Sequence, residues 1–302
     1  MKRTTPDGWT LHFNRVQGDG PPVLMVPGFA MNPSILGFHP RGRSFMHALR
    51  DRGFDCWSVE LRGIGRNKAG RRKTVGLAEK SLTDLPLAIQ HVRERTGAEE
   101  VHLVGCSLGG SIVYTMLAHD PEAPVGKVIS LGGPLWWKDP PVLVKSFARL
   151  GPVLGRVPVR GTRRLAKVVL PTAARFAPFV LTLYMNPDNV DLSQPQDLLK
   201  TVEDPVPREN RQLAAWIRQG RLRIRGLDIV DGVGRVKKPL MLVTGSGDGI
   251  APASACEPVL EAWGGAARHL HVDGAHPWSH ADLFIGHEAE EKVFHPVAEF
   301  LA

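Results

Sequence analysis

A serine set between glycines carries the strongest chemical signal in this chain: Gly105-Cys106-Ser107-Leu108-Gly109-Gly110. The G-x-S-x-G pattern follows the apolar run Val101-His102-Leu103-Val104 and opens a helical pattern from Leu108 to His119. A sharp strand-to-helix turn of this kind lifts a serine hydroxyl above a sheet, and the glycines leave room for the strained backbone and the close helix. The N-terminus of that helix offers backbone N–H groups and the positive end of a dipole. A serine hydroxyl is a weak nucleophile, so the reading requires a base, a carboxylate to orient it and donors for a developing oxyanion.

Two backbone groups are candidate oxyanion donors. One is the N–H of Leu108, just after the serine. The other is the N–H of Phe29, just after Pro27-Gly28 at the end of an earlier strand, with the phenyl ring expected to pack. The carboxylate is predicted to be Asp248, which closes Leu242-Val243-Thr244-Gly245-Ser246-Gly247-Asp248 just past a strand end. The Asp248-Gly249 pair also suits an ordinary turn. Twelve histidines complicate the base. The order serine, aspartate, histidine restricts it to the last region. There His269 and His271 fall in a predicted strand, and His287 and His295 lie around the terminal helix. The loop between them holds His276 and His280, and spacing alone does not separate these two.

The elements that must position these groups alternate. Val23-Leu24-Met25-Val26, Asp55 to Leu61, Val101 to Val104, Lys127 to Leu131 and Leu240 to Thr244 are short apolar runs closed by glycine or Pro-Gly. Such runs suit buried parallel strands, and Arg268 to Val272 is a plausible last one. Helical patterns cover Arg43–Arg52, Ser81–Thr96, Leu108–His119 and Glu288–Leu301. Strand alternating with helix predicts an α/β fold with a doubly wound, mostly parallel sheet. Trp9 to Asn14 alternates in polarity and is predicted to be an antiparallel edge strand.

The alternation stops between about Pro134 and Val236. Helical patterns replace it at Val142–Leu154, Thr162–Met185 (with proline interruptions), Gln194–Leu199 and Arg208–Gln219. Residues 134–236 are therefore expected to form a helical cap inserted into a core made of residues 1–133 and 237–302. The cap is rich in aromatic and apolar residues, among them Trp136, Trp137, Phe147, Tyr184 and Trp216. An apolar substrate pocket is expected, with Trp136, Trp137 and Tyr184 as its candidate lining. Taken singly, each of these side chains is as well explained as part of the cap's own core.

Composition narrows the field. At 302 residues, 43% hydrophobic and 23% charged, the chain has ordinary globular composition and should bury roughly 75% of its unfolded surface. Three cysteines, with no CxxC pair, speak against a disulfide framework or a metal finger. No apolar run reaches membrane-spanning length and no leader is recognisable at the N-terminus, so the expected location is cytoplasmic. The net charge of +8 is uneven: residues 134–238 hold 19 Lys/Arg against 9 Asp/Glu. A solvated face is the simplest explanation. The arrays Arg160, Arg163, Arg164, Lys167 and Arg221, Arg223, Arg225 also suit peripheral contact with an anionic membrane. Arg71-Arg72-Lys73 reads as an exposed loop run. No nucleic-acid motif accompanies the charge.

Taken together, these residues resemble the α/β-hydrolase superfamily along nearly the whole chain. Val26 to Asn32 is similar to its oxyanion loop, and Glu60-Leu61-Arg62-Gly63-Ile64-Gly65-Arg66 to its D-x-R-G-x-G stretch. More narrowly, His280-Ala281-Asp282-Leu283-Phe284-Ile285-Gly286 resembles the H-x-D-x-x-x-G segment of acid lipases and polyhydroxyalkanoate synthases. That resemblance implies His280 as the base, His276 as the alternative, and Asp282 as a support for the loop. Two departures stand out. Pro27 occupies the place where many relatives have histidine. The elbow residue is Ser107, where polyhydroxyalkanoate synthases use cysteine and haloalkane dehalogenases and epoxide hydrolases use aspartate.

The resulting expectation is a serine hydrolase that cleaves carboxylic esters with an apolar acyl or alcohol part, esterase-like or lipase-like, through Ser107, Asp248 and His280. It requires no metal and no cofactor. The same residues would serve an acyltransferase, thioesterase or amidase, and a non-catalytic ligand- or membrane-binding protein could use the same fold.

Overall fold

Every residue of Pro22–Val26, Asp55–Glu60 and Leu240–Gly245 is buried, which is why the first and last of these runs are almost wholly apolar, while the middle one buries Asp55, Ser58 and Glu60 among its apolar residues. The computed structural model describes residues 1–67, 75–156, 159–193 and 195–302. In chain order the first strands and helix are β1 (Lys2–Thr4), β2 (Thr10–Val16), β3 (Pro22–Val26), α1 (Phe45–Asp51) and β4 (Asp55–Glu60). Next come α2 (Leu77–Glu79), a π turn at Lys80–Asp84, α3 (Leu85–Thr96), β5 (Val101–Cys106), α4 (Leu108–His119) and β6 (Val125–Leu131).

A helical excursion follows: α5 (Val142–Leu154), α6 (Thr162–Phe176), α7 (Pro178–Leu181), α8 (Pro195–Lys200) and α9 (Pro207–Gln219). It ends in a hairpin of β7 (Arg223–Ile224) and β8 (Leu227–Asp228), then α10 (Ile229–Gly232). The chain returns to the sheet in β9 (Leu240–Gly245), then α11 (Ala253–Cys256), α12 (Pro258–Ala262) and β10 (Ala267–Val272). It finishes with α13 (Asp282–Ile285), a π turn at Glu290–Phe294 and α14 (His295–Leu301).

One eight-stranded sheet runs β1-β2-β4-β3-β5-β6-β9-β10. The β1–β2 and β2–β4 pairs are antiparallel and the rest parallel. The period of two along each strand sends Leu24, Leu103 and Leu242 into one core with α3 and α4. Val23, Val104 and Val243 enter the other core, with α1 and α14. The doubly wound sheet expected from the alternation is present.

Some boundaries differ from the sequence reading. The edge strand is Lys2–Thr4, not the Trp9–Asn14 segment, which lies one place inward as β2; three polar residues paired only through backbone give no hydrophobic pattern to read. The helical stretch expected over Thr162–Met185 ends at Phe176, with the single turn α7 after it. The two-residue strands β7 and β8, too short to show alternation, interrupt a region that reads as purely helical. Gln194 and Arg71-Arg72-Lys73 lie outside the described residues. The last part of the excursion packs on the core: Gly232 sits against Ala118, and Arg235 donates to the Ala118 carbonyl at 2.5 Å.

Candidate active site

Ser107 joins β5 to α4 with φ 55° and ψ −125°, a left-handed conformation that a side chain rarely adopts. Such a backbone costs on the order of 1–3 kcal/mol and persists only where its surroundings hold it. Here the Ser107 N–H donates to Leu131 O at 2.7 Å, and the flanking glycines permit contacts no other residue could. A Cβ at Gly109 would stand 2.2 Å from the Val26 carbonyl oxygen, and one at Gly105 2.5 Å from Gly110 Cα. Leu108 is the first residue of α4, so its N–H has no carbonyl one turn earlier in the helix to bond.

The loop after β3 meets this turn from the other side. A Cβ at Gly28 would come within 2.9 Å of Ser107 Cβ, which brings the backbone around Phe29 against the serine. The loop is itself strained, with Ala30 at φ 51°. Long-range bonds hold it: Ala30 O accepts from Glu203 N at 2.8 Å, Asn32 N donates to Thr201 O at 2.9 Å, and Asn32 Nδ2 donates to Glu203 Oε1 at 2.7 Å.

Asp248 and His280 form a buried pair. His280 Nδ1 lies 2.6 Å from Asp248 Oδ2, and the side chains are 3% and 0% exposed. In the neutral tautomer whose Nδ1–H donates to the carboxylate, Nε2 keeps its lone pair. Asp248 Oδ1 is held in turn by the N–H groups of Ile250 (2.9 Å) and Ala251 (2.8 Å). This pair adjoins the serine at the end of β6: Leu131 accepts from Ser107, and the next residue, Gly132 at φ 57°, would put a Cβ 3.1 Å from the His280 ring.

The His280 loop is strapped by residues 182–189. Ser279 Oγ donates to Thr182 O (2.6 Å), Ala281 N to Tyr184 O (2.7 Å) and Gly249 N to Leu183 O (3.1 Å). Asp282, fully buried, accepts from Asn186 N, Asn189 Nδ2 and Ser279 N at 2.9–3.0 Å. Burial pushes its carboxyl above the ordinary range, against these three donors. His276 lies outside this cluster. It is about half exposed, its Nδ1 is 3.6 Å from the Asp188 carboxylate, and it faces a separate cleft with Asn189, His287 and Glu288.

A cavity of about 310 Å³ opens over the serine, lined by Phe29, Ser107, Leu108 and Trp137 among others. Helix α5 contributes Leu143, Val144 and Phe147, and α9 contributes Leu213 and Ile217; Ile250 and Ala251, the residues holding Asp248, complete a wall. The lining is almost entirely apolar. Of the aromatic candidates Trp136, Trp137 and Tyr184, Trp137 lies in this lining; the aliphatic walls are not singled out in the sequence, although the i, i+4 pairs Leu143/Phe147 and Leu213/Ile217 carry a helical-face signal.

Neither Trp136 nor Tyr184 is among the lining residues; the Trp136 ring stacks under Lys138 and Arg221. Tyr184 stands beside His280, ring centroids 6.1 Å apart, with its hydroxyl toward Met31 Sδ at 3.4 Å. Burial and the nearby Asp248 charge push the Tyr184 phenol up to about 12, so it is a neutral donor. Cys106 is buried in the core on the α14 side of the sheet, where burial pushes its thiol well above the ordinary range.

In the D-x-R-G-x-G-like stretch the structure shows packing and ion pairs. Arg62 is fully buried between Asp84 (2.6 Å) and Asp7 (2.6 Å), and Glu60 accepts from Arg66 N at 2.8 Å.

A family model for the alpha/beta hydrolase fold matches residues 21–282. The chain is 28% identical over 137 residues to human lysosomal acid lipase/cholesteryl ester hydrolase, a match covering 39% of this chain and about a third (34%) of that relative's length. Among solved structures, an esterase from Exiguobacterium antarcticum superposes with TM-score 0.64 at 19% identity, covering 100% of this chain and 98% of that one. A hydrolase from Pseudomonas aeruginosa PA01 superposes with TM-score 0.68 at 16% identity, covering 100% and 98%.

Proposed function

The chain belongs to the α/β-hydrolase fold family, and on that premise we propose that it hydrolyses carboxylic esters whose acyl or alcohol part is apolar. One observation carries the reading: a strained serine stands in the floor of an apolar cavity whose wall residues, Ile250 and Ala251, hold the carboxylate that holds His280.

In this reading the substrate's apolar part fills the cavity and its carbonyl carbon meets Ser107 Oγ. His280 Nε2 takes the hydroxyl proton as Oγ attacks, and Asp248 stabilises the imidazolium that results. The N–H groups of Phe29 and Leu108 receive the oxyanion. His280 returns its proton to the departing alkoxide, leaving an acyl-enzyme. Water, deprotonated by the same nitrogen, then attacks the acyl carbon, and His280 returns the proton to Ser107 Oγ as the acid leaves. Helices α5–α9 act as a cap, with Leu143, Phe147, Leu213 and Ile217 forming the chain-binding wall. The ester cleavage named for the human lipase agrees with the reading over the matched segment.

Hydrolysis of p-nitrophenyl esters from acetate to palmitate tests it. Turnover should rise from acetate to acyl chains that fill the cavity and fall beyond them. Absence of turnover across the series would overturn the proposal. A competing alcohol in the same assay distinguishes water from another acyl acceptor.

A further inference from the structure

Exposed apolar surface is confined to one part of the molecule. Ten large apolar side chains between Val142 and Leu183 stand exposed, from 38% at Leu183 to 79% at Val142; outside that stretch only Met1 does so among the described residues. Leu150 and Val153 of α5, Leu165, Val168 and Phe176 of α6, and Phe179 of α7 are each more than half exposed. Large apolar side chains exposed in this number within one segment of about forty residues mark a contact surface.

Charge identifies the partner. From residue 140 to 187 the chain has eight Lys/Arg and no Asp or Glu. Arg149, Arg164 and Lys167 are exposed on the same two helices and have no carboxylate partner among the described residues. Lys145 and Arg163 of the same segment do pair, with Asp139 and Glu203, and in the second basic array Arg221 pairs with Asp228 and Asp231, and Arg223 with Asp228. Exposed aliphatic and aromatic side chains interleaved with unpaired cations match the two layers of an anionic bilayer surface, acyl chains below and phosphates above. No helix among the described residues is long and apolar enough to cross a membrane.

The patch also connects to the cavity. Leu143 lines the cavity over Ser107 and is itself 49% exposed, so the apolar surface runs from the outer face of α5 into the site. We infer that the outer face of α5–α7 docks on an anionic phospholipid surface, bringing the cavity mouth against the lipid. The inference concerns binding and stands apart from the chemistry at Ser107.

Co-sedimentation of the whole chain with phosphatidylcholine vesicles, with and without phosphatidylglycerol, tests it. Two surface variants accompany it, Leu165→Ser/Val168→Ser and Arg164→Glu/Lys167→Glu, with thermal melting to show that both fold. The chain should sediment with the anionic vesicles, less in high salt, and the charge-reversed variant should lose more than about tenfold in partitioning, as expected when each cation near the surface contributes several-fold. The serine variant should lose binding to a similar degree. Failure to sediment, or equal sedimentation with phosphatidylcholine alone, would overturn the inference. So would a dimer in light scattering that Leu165→Ser/Val168→Ser dissociates, because the face would then be covered by a second copy.

Discussion

His280 and His276 sit four residues apart on one loop, and their surroundings could hardly differ more. His280 is buried, bonded to a carboxylate that is itself held by two backbone N–H groups, on a loop strapped by residues 182–189. His276 is about half exposed and 3.6 Å from a solvent-facing carboxylate. The same contrast holds at larger scale. The loops at the carboxyl ends of β3, β5, β6 and β9 are fixed by backbone bonds and buried carboxylates, while the outer face of α5–α7 presents apolar side chains to solvent. The buried, bonded loops fix the candidate site, and the apolar surface lies outside it.

The comparison breaks most sharply at the serine. Ser107→Ala should lower kcat on a p-nitrophenyl ester by on the order of 10⁶-fold, as removal of a triad nucleophile does elsewhere. Asp248→Asn should cost about 10⁴-fold, because the amide no longer fixes the productive tautomer. His276→Ala should leave turnover unchanged; a loss matching that of His280→Ala would erase the distinction between the two histidines.

Attachment of the helical segment to the core gives the next effect. Lys80 and Glu209 form a buried pair at 2.6 Å between the π turn before α3 and helix α9. Lys80→Met leaves the Glu209 carboxylate buried without its partner and should cost about 3–5 kcal/mol in chemical denaturation. The double variant Lys80→Met/Glu209→Leu should recover most of it, and no recovery would show that the pair itself is not what holds α9.

The strap gives a smaller effect. Asn186→Ala removes the side-chain bonds to Pro277 O at 2.9 Å and from Asp188 N at 3.1 Å while keeping the backbone bond to Asp282. It should lower stability by about 1 kcal/mol and lower kcat more than it changes KM, since the strap acts through His280. A purely structural role would shift the melting curve and leave kcat at temperatures below melting intact.

At the cavity, Leu213→Trp should shift preference toward acetate by about tenfold or more, given the worth of one or two methylenes in an apolar pocket. An unchanged chain-length profile would place the acyl chain elsewhere. The smallest effect is acid lability. The hydrogen bond from Arg62 holds the Asp7 carboxyl below its ordinary value of 3.8. A depressed carboxylate stabilises the fold above its unfolded pKa, and this is lost as pH falls through the lower, folded one. Asp7→Asn should flatten that part of the acid-stability profile, read by melting between neutral and acid pH.

Much of this architecture was legible because it depends on short-range pattern. Buried parallel strands read as apolar runs, and the elbow reads as glycines at fixed offsets around a serine. The helix bounds Leu108–His119 and Val142–Leu154 agree with the periodicity. What escaped depends on contacts far apart in sequence. Spacing alone does not separate His280 from His276, and only the resemblance of the His280–Gly286 segment favours the former; the strap on the His280 loop comes from about a hundred residues earlier. The three-residue edge strand β1 is specified by pairing with β2 and not by its own side chains. The aromatic residues of the helical segment drew attention, but Trp136 is engaged by cations and aliphatic residues form most of the wall. Charge summed along the sequence treats both basic arrays alike, and only the fold shows that Arg221 and Arg223 are neutralised while Arg164 and Lys167 are not.

The central claim is that His280 activates Ser107, and covalent labelling tests it most directly. A fluorophosphonate probe followed by peptide mass spectrometry should place a single adduct on Ser107, formed much more slowly in His280→Ala and at the normal rate in His276→Ala. An unlabelled Ser107, or labelling equally fast without the His280 imidazole, would contradict the account.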